Sequence, residues 1–442
     1  MLTLANRSDY ATLLDAVTLS AADDERAAIV YVSSDQPSLR ISRAEFALIV
    51  RQHAAALGHL GVKPGDLVVI AHTQNLESIY AFWGAMYAGA IPSMFPTLTE
   101  KLDPDIYMSS MAELARLSEV KAVLTADDFA QALDSHLPCP VYGSTRLAAA
   151  VVENRFVDLA PYRPDPGQIA FLQHSSGTTG LQKGVALSHR AALNQLASYA
   201  VALDLTGSDV VVSWLPLYHD MGLIAGFLLP LFQGLPLVLM SPFDWVRHPA
   251  LLLRAIHDHR GSLCWLPNFA YNHCARRIRA RDLEGLSLAS MRAFVNCSEP
   301  VRDDSHRLFL DRFTALDLRP EMLSVSYAMA ENTFAVTQTP IGREPLLDII
   351  DQIALEESRS ARPVERQHDR ALTMVSCGPP IYGTEVRVLD DDGRVLEDRL
   401  VGQMAIRGDS MLSGYYKRPD LQPFQDGWYL TGDMGYLAGD QV

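Results

Sequence analysis

Segments with helical spacing of apolar residues alternate along this chain with short runs of consecutive apolar residues. An apolar run of about four to eight residues is typical of a strand buried on both faces, and helices between such strands are typical of parallel α/β sheets. The predicted helices span residues 44–60, 76–89 and 190–203, and the predicted strands span residues 67–71, 168–173 and 209–213. Because the alternation repeats after residue 165, we predict an α/β fold with two doubly wound lobes packed together, at residues 1–165 and 166–372.

The pattern changes at about residue 373. Short alternating runs at residues 385–389 and 402–407 are separated by Asp-Asp-Gly and Arg-Gly-Asp turn signals. They predict a small β-barrel subdomain over residues 373–442. Before it lies a polar segment, residues 343–370, which is either an ordered helical insertion or a mobile loop, because it is rich in charge and poor in aromatic residues.

The charge balance argues against a nucleic-acid-binding protein, because 52 acidic residues outnumber 37 basic ones and the net charge is −15. The five cysteines are scattered without CxxC spacing, which predicts reduced thiols and neither a disulfide framework nor a zinc site. The first 25 residues lack the basic start and apolar core of a secretory signal. We therefore expect a cytoplasmic protein.

One uncharged stretch, residues 221–243, is long enough to cross a bilayer. It contains Pro230, Gly234 and Pro236, which are helix and strand breakers. We therefore predict a buried helix, a turn over residues 230–236 and a buried strand, and no transmembrane segment.

A run rich in serine, threonine and glycine follows the predicted strand at residues 168–173. Glycines let the backbone approach phosphate oxygens, consecutive N–H groups form an anion nest, hydroxyl groups donate further hydrogen bonds, and a lysine adds a positive charge. The spacing is not that of a Walker A loop, and the alternative interpretation is a flexible surface turn. The predicted phosphate-binding residues are Ser175, Ser176, Gly177, Thr178, Thr179, Gly180 and Lys183.

The run at residues 172–185 resembles the signature of the adenylate-forming superfamily, which includes acyl-CoA synthetases, adenylation domains and luciferases. Two further runs, at residues 327–331 and 429–433, are similar to other motifs of that superfamily and follow in the expected order. The resemblance implies that Tyr327 stacks on adenine, that Glu331 holds Mg²⁺ and that Asp433 binds the ribose hydroxyls. ATP and Mg²⁺ are therefore the expected cofactors.

Within the superfamily the chain most resembles the fatty acyl-AMP ligases, with dense matches at residues 214–224, 240–242, 267–271 and 298–302. The polar segment falls where that group carries an insertion thought to hinder the use of coenzyme A. The resemblance implies activation of a carboxylic acid to acyl-AMP and transfer to the phosphopantetheine thiol of an acyl carrier protein. The alternatives are an acyl-CoA synthetase and a non-catalytic adenylate-binding protein.

The candidate residues fall into three groups by role. Lys183, His219 and Glu331 are the candidate catalytic residues, because attack on the α-phosphorus of ATP needs charge neutralisation and an oriented carboxylate. Besides the phosphate loop, the candidate nucleotide-binding residues are Ser298, Glu299, Pro300, Tyr327, Ala328, Met329 and Asp433. The candidate substrate-binding residues are His219, Asp220, Gly222, Trp265, Asn268 and Phe269.

Some of these residues have structural alternatives. His219 is otherwise a hydrogen-bonded core histidine. Glu299, which precedes Pro300, is otherwise a carboxylate at the start of a helix. The basic run Arg276, Arg277, Arg279 and Arg281 either attracts an acidic carrier protein or is a solvated face.

The chain departs from the family pattern at several positions. Ala328 replaces a glycine, so its methyl group is expected to crowd the backbone near the nucleotide. Trp265 stands where these ligases have a small residue beside the acyl tunnel, which predicts a preference for a shorter or differently shaped acid. The family's hinge and small C-terminal domain, with a second catalytic lysine, are expected to be absent beyond Val442, and the chain alone is expected to bind ATP or an acyl-adenylate but to adenylate slowly or not at all.

Overall fold

The computed structural model describes residues 10–19, 23–72, 76–98, 103–157, 159–174 and 183–442. Six residues of the predicted phosphate loop, Ser175 to Gly180, therefore lie outside the described residues. Lys183 is described.

The helices and strands follow the predicted alternation. The helices are α1 (Asp15–Thr18), α2 (Arg43–His59), α3 (Leu76–Tyr87), α4 (Pro104–Leu117), α5 (Asp127–Asp134), α6 (Ser144–Glu153), α7 (His189–Ala202), α8 (Leu229–Gln233), α9 (Pro242–Arg247), α10 (Ala250–His259), α11 (Asn268–Arg277), α12 (Asp303–Phe313) and α13 (Gln352–Ser358). The strands are β1 (Ala27–Val32), β2 (Leu39–Ser42), β3 (Leu67–Ala71), β4 (Ile91–Met94), β5 (Val120–Thr125), β6 (Val141–Gly143), β7 (Ile169–His174), β8 (Gly184–Ser188), β9 (Val211–Ser213), β10 (Leu237–Met240), β11 (Leu263–Leu266), β12 (Ala293–Asn296), β13 (Leu323–Val325), β14 (Leu347–Asp351), β15 (Ala371–Val375), β16 (Thr384–Leu389), β17 (Gly402–Gly408), β18 (Gly414–Tyr415), β19 (Phe424–Gln425) and β20 (Trp428–Gly435).

Local sequence signals explain several of these elements. Every residue of β3 is buried, as expected for a parallel strand covered on both faces. Helix α2 begins with a capping box, in which the Ser42 hydroxyl accepts the Glu45 N–H and the Glu45 carboxylate accepts the Ser42 N–H. The predicted helix at residues 44–60 is thus confirmed to within one residue at each end.

The described strands form two large sheets. The first has the order β13-β12-β11-β9-β10-β1-β2, in which only β2 is antiparallel to its neighbour. The second has the order β18-β8-β7-β4-β3-β5-β6 and is parallel from β7 to β6. In the first sheet, β1 and β2 join strands that follow residue 210. In the second sheet, β7 and β8 join strands that precede residue 126. Each sheet therefore contains strands from both sides of the predicted lobe boundary at residue 165.

The C-terminal part contains an antiparallel sheet of order β16-β17-β20-β19. The polar segment, residues 343–370, is ordered. It contains β14 and the short helix α13 and leads into β15, which pairs with β14 in an antiparallel hairpin. It therefore combines strand and helix, and neither predicted form describes it completely.

The uncharged stretch forms a π-helical segment over Met221–Leu228, then α8 and then β10. The predicted turn over residues 230–236 is wrong at its start, because the helix continues from the π-helical segment through Pro230 to Gln233. The chain turns at Gly234, with a φ of 76°. No helix among the described residues is long and apolar enough to span a membrane.

Candidate active site

A cleft of about 1570 Å³ lies where the loops after four strands of the first sheet meet the C-terminal sheet. The loops follow β9, β11, β12 and β13, and they converge because the carboxyl ends of parallel strands share one edge of a sheet. Most of the described candidate residues line this cleft. They are Lys183, His219, Asp220, Gly222, Phe269, Ser298, Glu299, Pro300, Tyr327, Ala328, Met329, Glu331 and Asp433.

Lys183 and Glu331 both contact Tyr415, Lys183 at the ring and Glu331 at the hydroxyl group. The Lys183 ammonium nitrogen lies 5.1 Å from the centroid of the Tyr415 ring. The Tyr415 hydroxyl donates to Glu331 Oε1 at 3.1 Å and lies 3.1 Å from the Tyr429 hydroxyl. The buried Glu331 carboxylate is therefore held by the hydroxyl group of a tyrosine whose ring also contacts the Lys183 ammonium group.

Tyr327 contacts Asp433 across the cleft, with its hydroxyl donating to Asp433 Oδ2 at 2.6 Å. Burial, together with this carboxylate, raises the pKa of Tyr327. Tyr327 and Ala328 lie in a tight antiparallel turn, in which Ala328 pairs with Ala335. Ala328 is not among the residues with positive φ, so a side chain at this position does not strain the backbone.

His219 is exposed within the cleft, and its ring centroid lies 4.7 Å from that of Tyr218. It is therefore not a core histidine, although the surrounding protein displaces enough water to lower its pKa. The neighbouring Asp220 carboxylate accepts the Met221 N–H at 2.7 Å, and burial raises its pKa to about 6. Gly222 is required here, because a Cβ atom would lie 2.2 Å from the Pro216 carbonyl oxygen.

Glu299 connects two loops of the cleft wall. Its Oε2 accepts the backbone N–H of Phe269 at 2.9 Å, at the first turn of α11. The sequence also allowed Glu299 to be a carboxylate at the start of the helix that follows Pro300. Glu299 does cap a helix, but that helix is α11, because α12 begins only at Asp303. Ser298, just before it, has a left-handed φ of 70°, which turns the chain along the cleft wall.

Asn268 and Trp265 do not line the cleft. Asn268 is buried, and its Oδ1 accepts from Asn296 Nδ2 and the Arg302 N–H, both at 3.1 Å, so it joins two ends of the turn that carries Glu299. Trp265 is 0% exposed, and its Nε1 donates to the Tyr199 hydroxyl at 2.8 Å. Both side chains stabilise the interior behind the site.

Residues 19–416 match the family model described as AMP-binding enzyme. The chain belongs to the AMP-binding enzyme family. A putative ligase of Mycobacterium tuberculosis is 30% identical over 391 residues, which are 87% of this chain and 70% of that protein. A medium-chain-fatty-acid–acyl-carrier-protein ligase of Moorena producens is 29% identical over 413 residues, covering 86% of this chain and 67% of that protein.

The crystal structure of a fatty acyl-adenylate ligase from L. pneumophila, in complex with acyl adenylate and pyrophosphate, matches with a TM-score of 0.89 and 27% identity over 98% of this chain and 76% of that chain. The predicted fold class is thereby confirmed. So is the predicted enzyme class, an adenylate-forming acyl ligase of the AMP-binding enzyme family.

Five tryptophan and tyrosine residues of the cleft are not among the predicted site residues, namely Trp214, Tyr218, Tyr415, Tyr429 and Tyr436. Trp214, the first residue of the match at residues 214–224, stacks on Trp245 with ring centroids 3.6 Å apart. Tyr429 opens the third motif, and so the sequence offered a signal for both Trp214 and Tyr429. Tyr415 offered no such signal, because it reaches the cleft only through the pairing of β18 with β8.

Proposed function

We propose that this member of the AMP-binding enzyme family activates a fatty or related carboxylic acid with ATP, releases pyrophosphate, and passes the acyl group to the phosphopantetheine thiol of an acyl carrier protein. The observation that carries the proposal is the convergence of Lys183, His219, Glu331, Tyr327 and Asp433 on one cleft. These side chains supply a cation, an imidazole, a buried carboxylate, an aromatic face and a second carboxylate.

In this proposal the adenosine part of ATP lies along the Tyr327 side of the cleft. The aromatic ring offers a stacking surface for adenine, and residues 298–300 line the same cleft. Asp433 is exposed in the cleft and has acceptor oxygens for the ribose hydroxyls. Its hydrogen bond with Tyr327 fixes the two groups relative to each other.

The triphosphate lies towards Lys183 and Glu331. An oxygen of the acid carboxylate bonds to the α-phosphorus, the bond from that phosphorus to the bridging oxygen of the β-phosphate breaks, and pyrophosphate leaves with the bond electrons. Lys183 offsets the negative charge of the phosphate oxygens. When bound, Mg²⁺ neutralises further charge on those oxygens.

The residues present fit a magnesium ion. Magnesium is usually held by one or two carboxylates and the substrate phosphates, and Glu331 is a buried carboxylate on the cleft wall. No group of three or more potential ligand side chains occurs among the described residues, which agrees with a metal bound mainly through the nucleotide.

His219 is placed to orient the acid. Its imidazole is exposed in the cleft beside apolar lining from Trp214, Pro242 and Phe269. A neutral imidazole can donate a hydrogen bond to the carboxylate of the acid, and the lowered pKa of His219 keeps it neutral at neutral pH.

The carrier protein is proposed as acceptor on two grounds. The relative from Moorena producens is named as a ligase for an acyl carrier protein. In addition, Arg276, Arg277, Arg279 and Arg281 are exposed at the C-terminal end of α11, whose first turn lines the cleft through Phe269. Because the ten residues of α11 span about 15 Å, an acidic protein docked on these arginines would be within reach of the cleft for a long phosphopantetheine arm.

The proposal extends to a cytoplasmic location. All five cysteines are free, and four of them are buried, as is common for proteins of a reducing compartment.

Two measurements test the proposed function. Exchange of labelled pyrophosphate into ATP with a panel of carboxylic acids reports adenylation, and binding of acyl-sulfamoyl adenosines reports the adenylate site independently of turnover. A Lys183→Ala variant is the control for both. Absence of exchange and of analogue binding for every acid would contradict adenylation by this chain.

The acceptor is tested separately, by mass spectrometry of products formed with either coenzyme A or a phosphopantetheinylated carrier protein. We expect the acyl group mainly on the carrier protein. A coenzyme A thioester as the main product would assign the chain to the acyl-CoA synthetases instead.

A further inference from the structure

We propose that Tyr415 is a positioning residue that fixes Lys183 and Glu331 relative to each other, so that phosphate binding and metal binding occur in one geometry. The inference rests on the proposed function, because it assigns Lys183 to the phosphates of ATP and Glu331 to Mg²⁺. It adds to the site a residue of β18, the edge strand of the second large sheet.

One short backbone segment connects the two charged residues. The Leu412 N–H donates to the Glu331 carbonyl at 2.8 Å, and the Tyr416 N–H donates to the Gly184 carbonyl at 2.8 Å. Between these bonds, Tyr415 pairs with Val185 in the antiparallel ladder of β18 and β8. Residues 412–416 therefore run from the backbone of Glu331 to the residue that follows Lys183.

The Tyr415 side chain joins the same two residues. Its ring face lies 5.1 Å from the Lys183 nitrogen, within the distance at which an ammonium group is attracted to an aromatic ring. Its hydroxyl donates to Glu331 Oε1 at 3.1 Å. The ring and the hydroxyl thus act on different charges, and substitution can separate their effects.

The direction of the hydrogen bond agrees with this assignment. A phenol hydroxyl donates and a carboxylate accepts, so Tyr415 supplies the proton that orients Glu331 Oε1. The Tyr429 hydroxyl, 3.1 Å away on β20, supports it from the other side. Glu331 itself is only 7% exposed, so a hydrogen bond that fixes its rotamer also limits its access to water.

Tyr415 would touch neither the acid nor the nucleotide in this proposal. It would act through Lys183 and Glu331, as residues behind metal ligands commonly do, and loss of such a residue typically weakens metal binding by about tenfold or more. Loss of the ring contact would weaken phosphate binding by about threefold, the usual size of a partly exposed cation–π interaction.

The experiment compares Tyr415→Phe, which removes only the hydroxyl, with Tyr415→Leu, which removes hydroxyl and ring. Tyr416→Phe is the matched control, since that ring lies near Lys417 instead. Isothermal titration measures ATP binding over a series of Mg²⁺ concentrations and pyrophosphate binding without metal, and thermal unfolding is followed for each variant. We expect Tyr415→Phe to raise the Mg²⁺ concentration at half-maximal ATP binding by about tenfold with unchanged pyrophosphate affinity.

For Tyr415→Leu we expect the same change in Mg²⁺ dependence and, in addition, about threefold weaker pyrophosphate binding. A general loss of structure would weaken pyrophosphate binding in Tyr415→Phe as well, so unchanged pyrophosphate affinity in this variant separates the proposed role from misfolding. An unchanged Mg²⁺ dependence in Tyr415→Phe, or equal losses in both variants accompanied by lower unfolding temperatures, would overturn the inference. Failure of the unsubstituted chain to bind ATP would instead contradict the proposed function.

Discussion

The carboxyl group of Asp220 lies in the cleft wall beside the charge of Glu331. Burial raises its pKa to about 6, and the Glu331 charge acts in the same direction, against the hydrogen bond from Met221. The folded protein therefore holds this proton more tightly than the unfolded chain. The resulting stabilisation is present below about pH 4 and is lost as the pH rises through about 6.

Asp220→Asn should remove this pH dependence. The amide has the same shape and keeps an acceptor for the Met221 N–H, but it never ionises. Relative to the unsubstituted chain, the variant should gain about 2 kcal/mol of unfolding free energy between about pH 4 and about pH 8. Urea unfolding across this range measures the gain, and Asp258→Asn on the exposed face of α10 is the control. If the unfolding free energy depends on pH in the same way for the unsubstituted chain, Asp220→Asn and Asp258→Asn, the pKa of Asp220 is not raised.

Trp265 is the residue at which a change of acid preference is expected. It is fully buried in β11, and Pro267, two residues later, lines the cleft. Trp265→Gly should open space behind the cleft wall and shift binding towards acyl-sulfamoyl adenosines with longer chains, whereas Trp265→Phe should keep the original preference.

The informative quantity for Trp265 is the ratio of affinities for long and medium acyl chains within one variant. This ratio is insensitive to the overall loss of stability, about 3–5 kcal/mol, that removal of a buried indole causes. If the glycine variant retains the original ratio, Trp265 does not limit chain length.

At the scale of single residues, the sequence predicted the chemical role of a side chain better than it predicted the residues with which that side chain forms hydrogen bonds. Glu299 was correctly interpreted as a carboxylate suited to a helix start, but the helix that it caps is α11, and the Phe269 N–H that it accepts lies thirty positions earlier in the chain. Asn268 was predicted to contact substrate and instead joins Asn296 to the Arg302 backbone. Partners so distant in sequence leave no local pattern.

The hairpin of β14 and β15 is attached to the C-terminal sheet by a small polar network. Asp348 Oδ2 accepts from Arg399 Nη1 at 2.8 Å and from the Tyr436 hydroxyl at 3.0 Å. Asp348, Arg399 and Tyr436 all line the cleft, so the network also fixes one side of the cleft entrance.

Asp348→Ala should loosen this hairpin without unfolding the large sheets. Loss of the carboxylate removes two hydrogen bonds, worth about 1 kcal/mol after allowance for the partly exposed arginine. Amide hydrogen exchange in β14 and β15 should become severalfold faster, while exchange in β3 stays unchanged. Asp391→Ala is the matched control, since Asp391 pairs with Arg359 in an exposed position. Equal exchange in both variants would show that Asp348 does not hold the hairpin.

Among the elements, those with strong local periodicity were predicted closely, as with α2 and β3. The polar insertion was not assigned a single form, because its charges obscure the alternation of a hairpin that is only half-buried. The predicted turn at Pro230 failed for a different reason. Pro230 lies inside a helical stretch that runs from Met221 to Gln233 and changes from π-helix to α-helix just before the proline, and so a breaker signal alone does not locate the end of a helix.

For the whole molecule, the net charge of −15 contrasts with the exposed arginines at the end of α11. Arg276→Glu combined with Arg277→Glu should weaken binding of an acidic carrier protein by about tenfold at low salt and reduce the salt dependence of binding, with pyrophosphate exchange unchanged. Fluorescence anisotropy of a labelled carrier protein measures the affinity.

The control for this prediction is Arg116→Glu combined with Arg146→Glu, an equal change of charge on exposed positions of α4 and α6. If both double variants bind the carrier protein equally more weakly, the total charge of the molecule is responsible and the α11 arginines do not form the carrier interface. If neither variant changes the affinity, the same conclusion about these arginines follows.

Each large sheet contains strands from both sides of residue 165, and this has a consequence for synthesis of the chain on the ribosome. Ile29 pairs with Leu237, and Tyr415 pairs with Val185. Neither large sheet can therefore be completed until residues about 200 positions later have been synthesised. Contacts of such long sequence separation slow folding, and the early strand β1 keeps an open edge until β10 emerges. Nascent chains that end before residue 237 should therefore depend on chaperones more than a protein whose lobes fold one after the other.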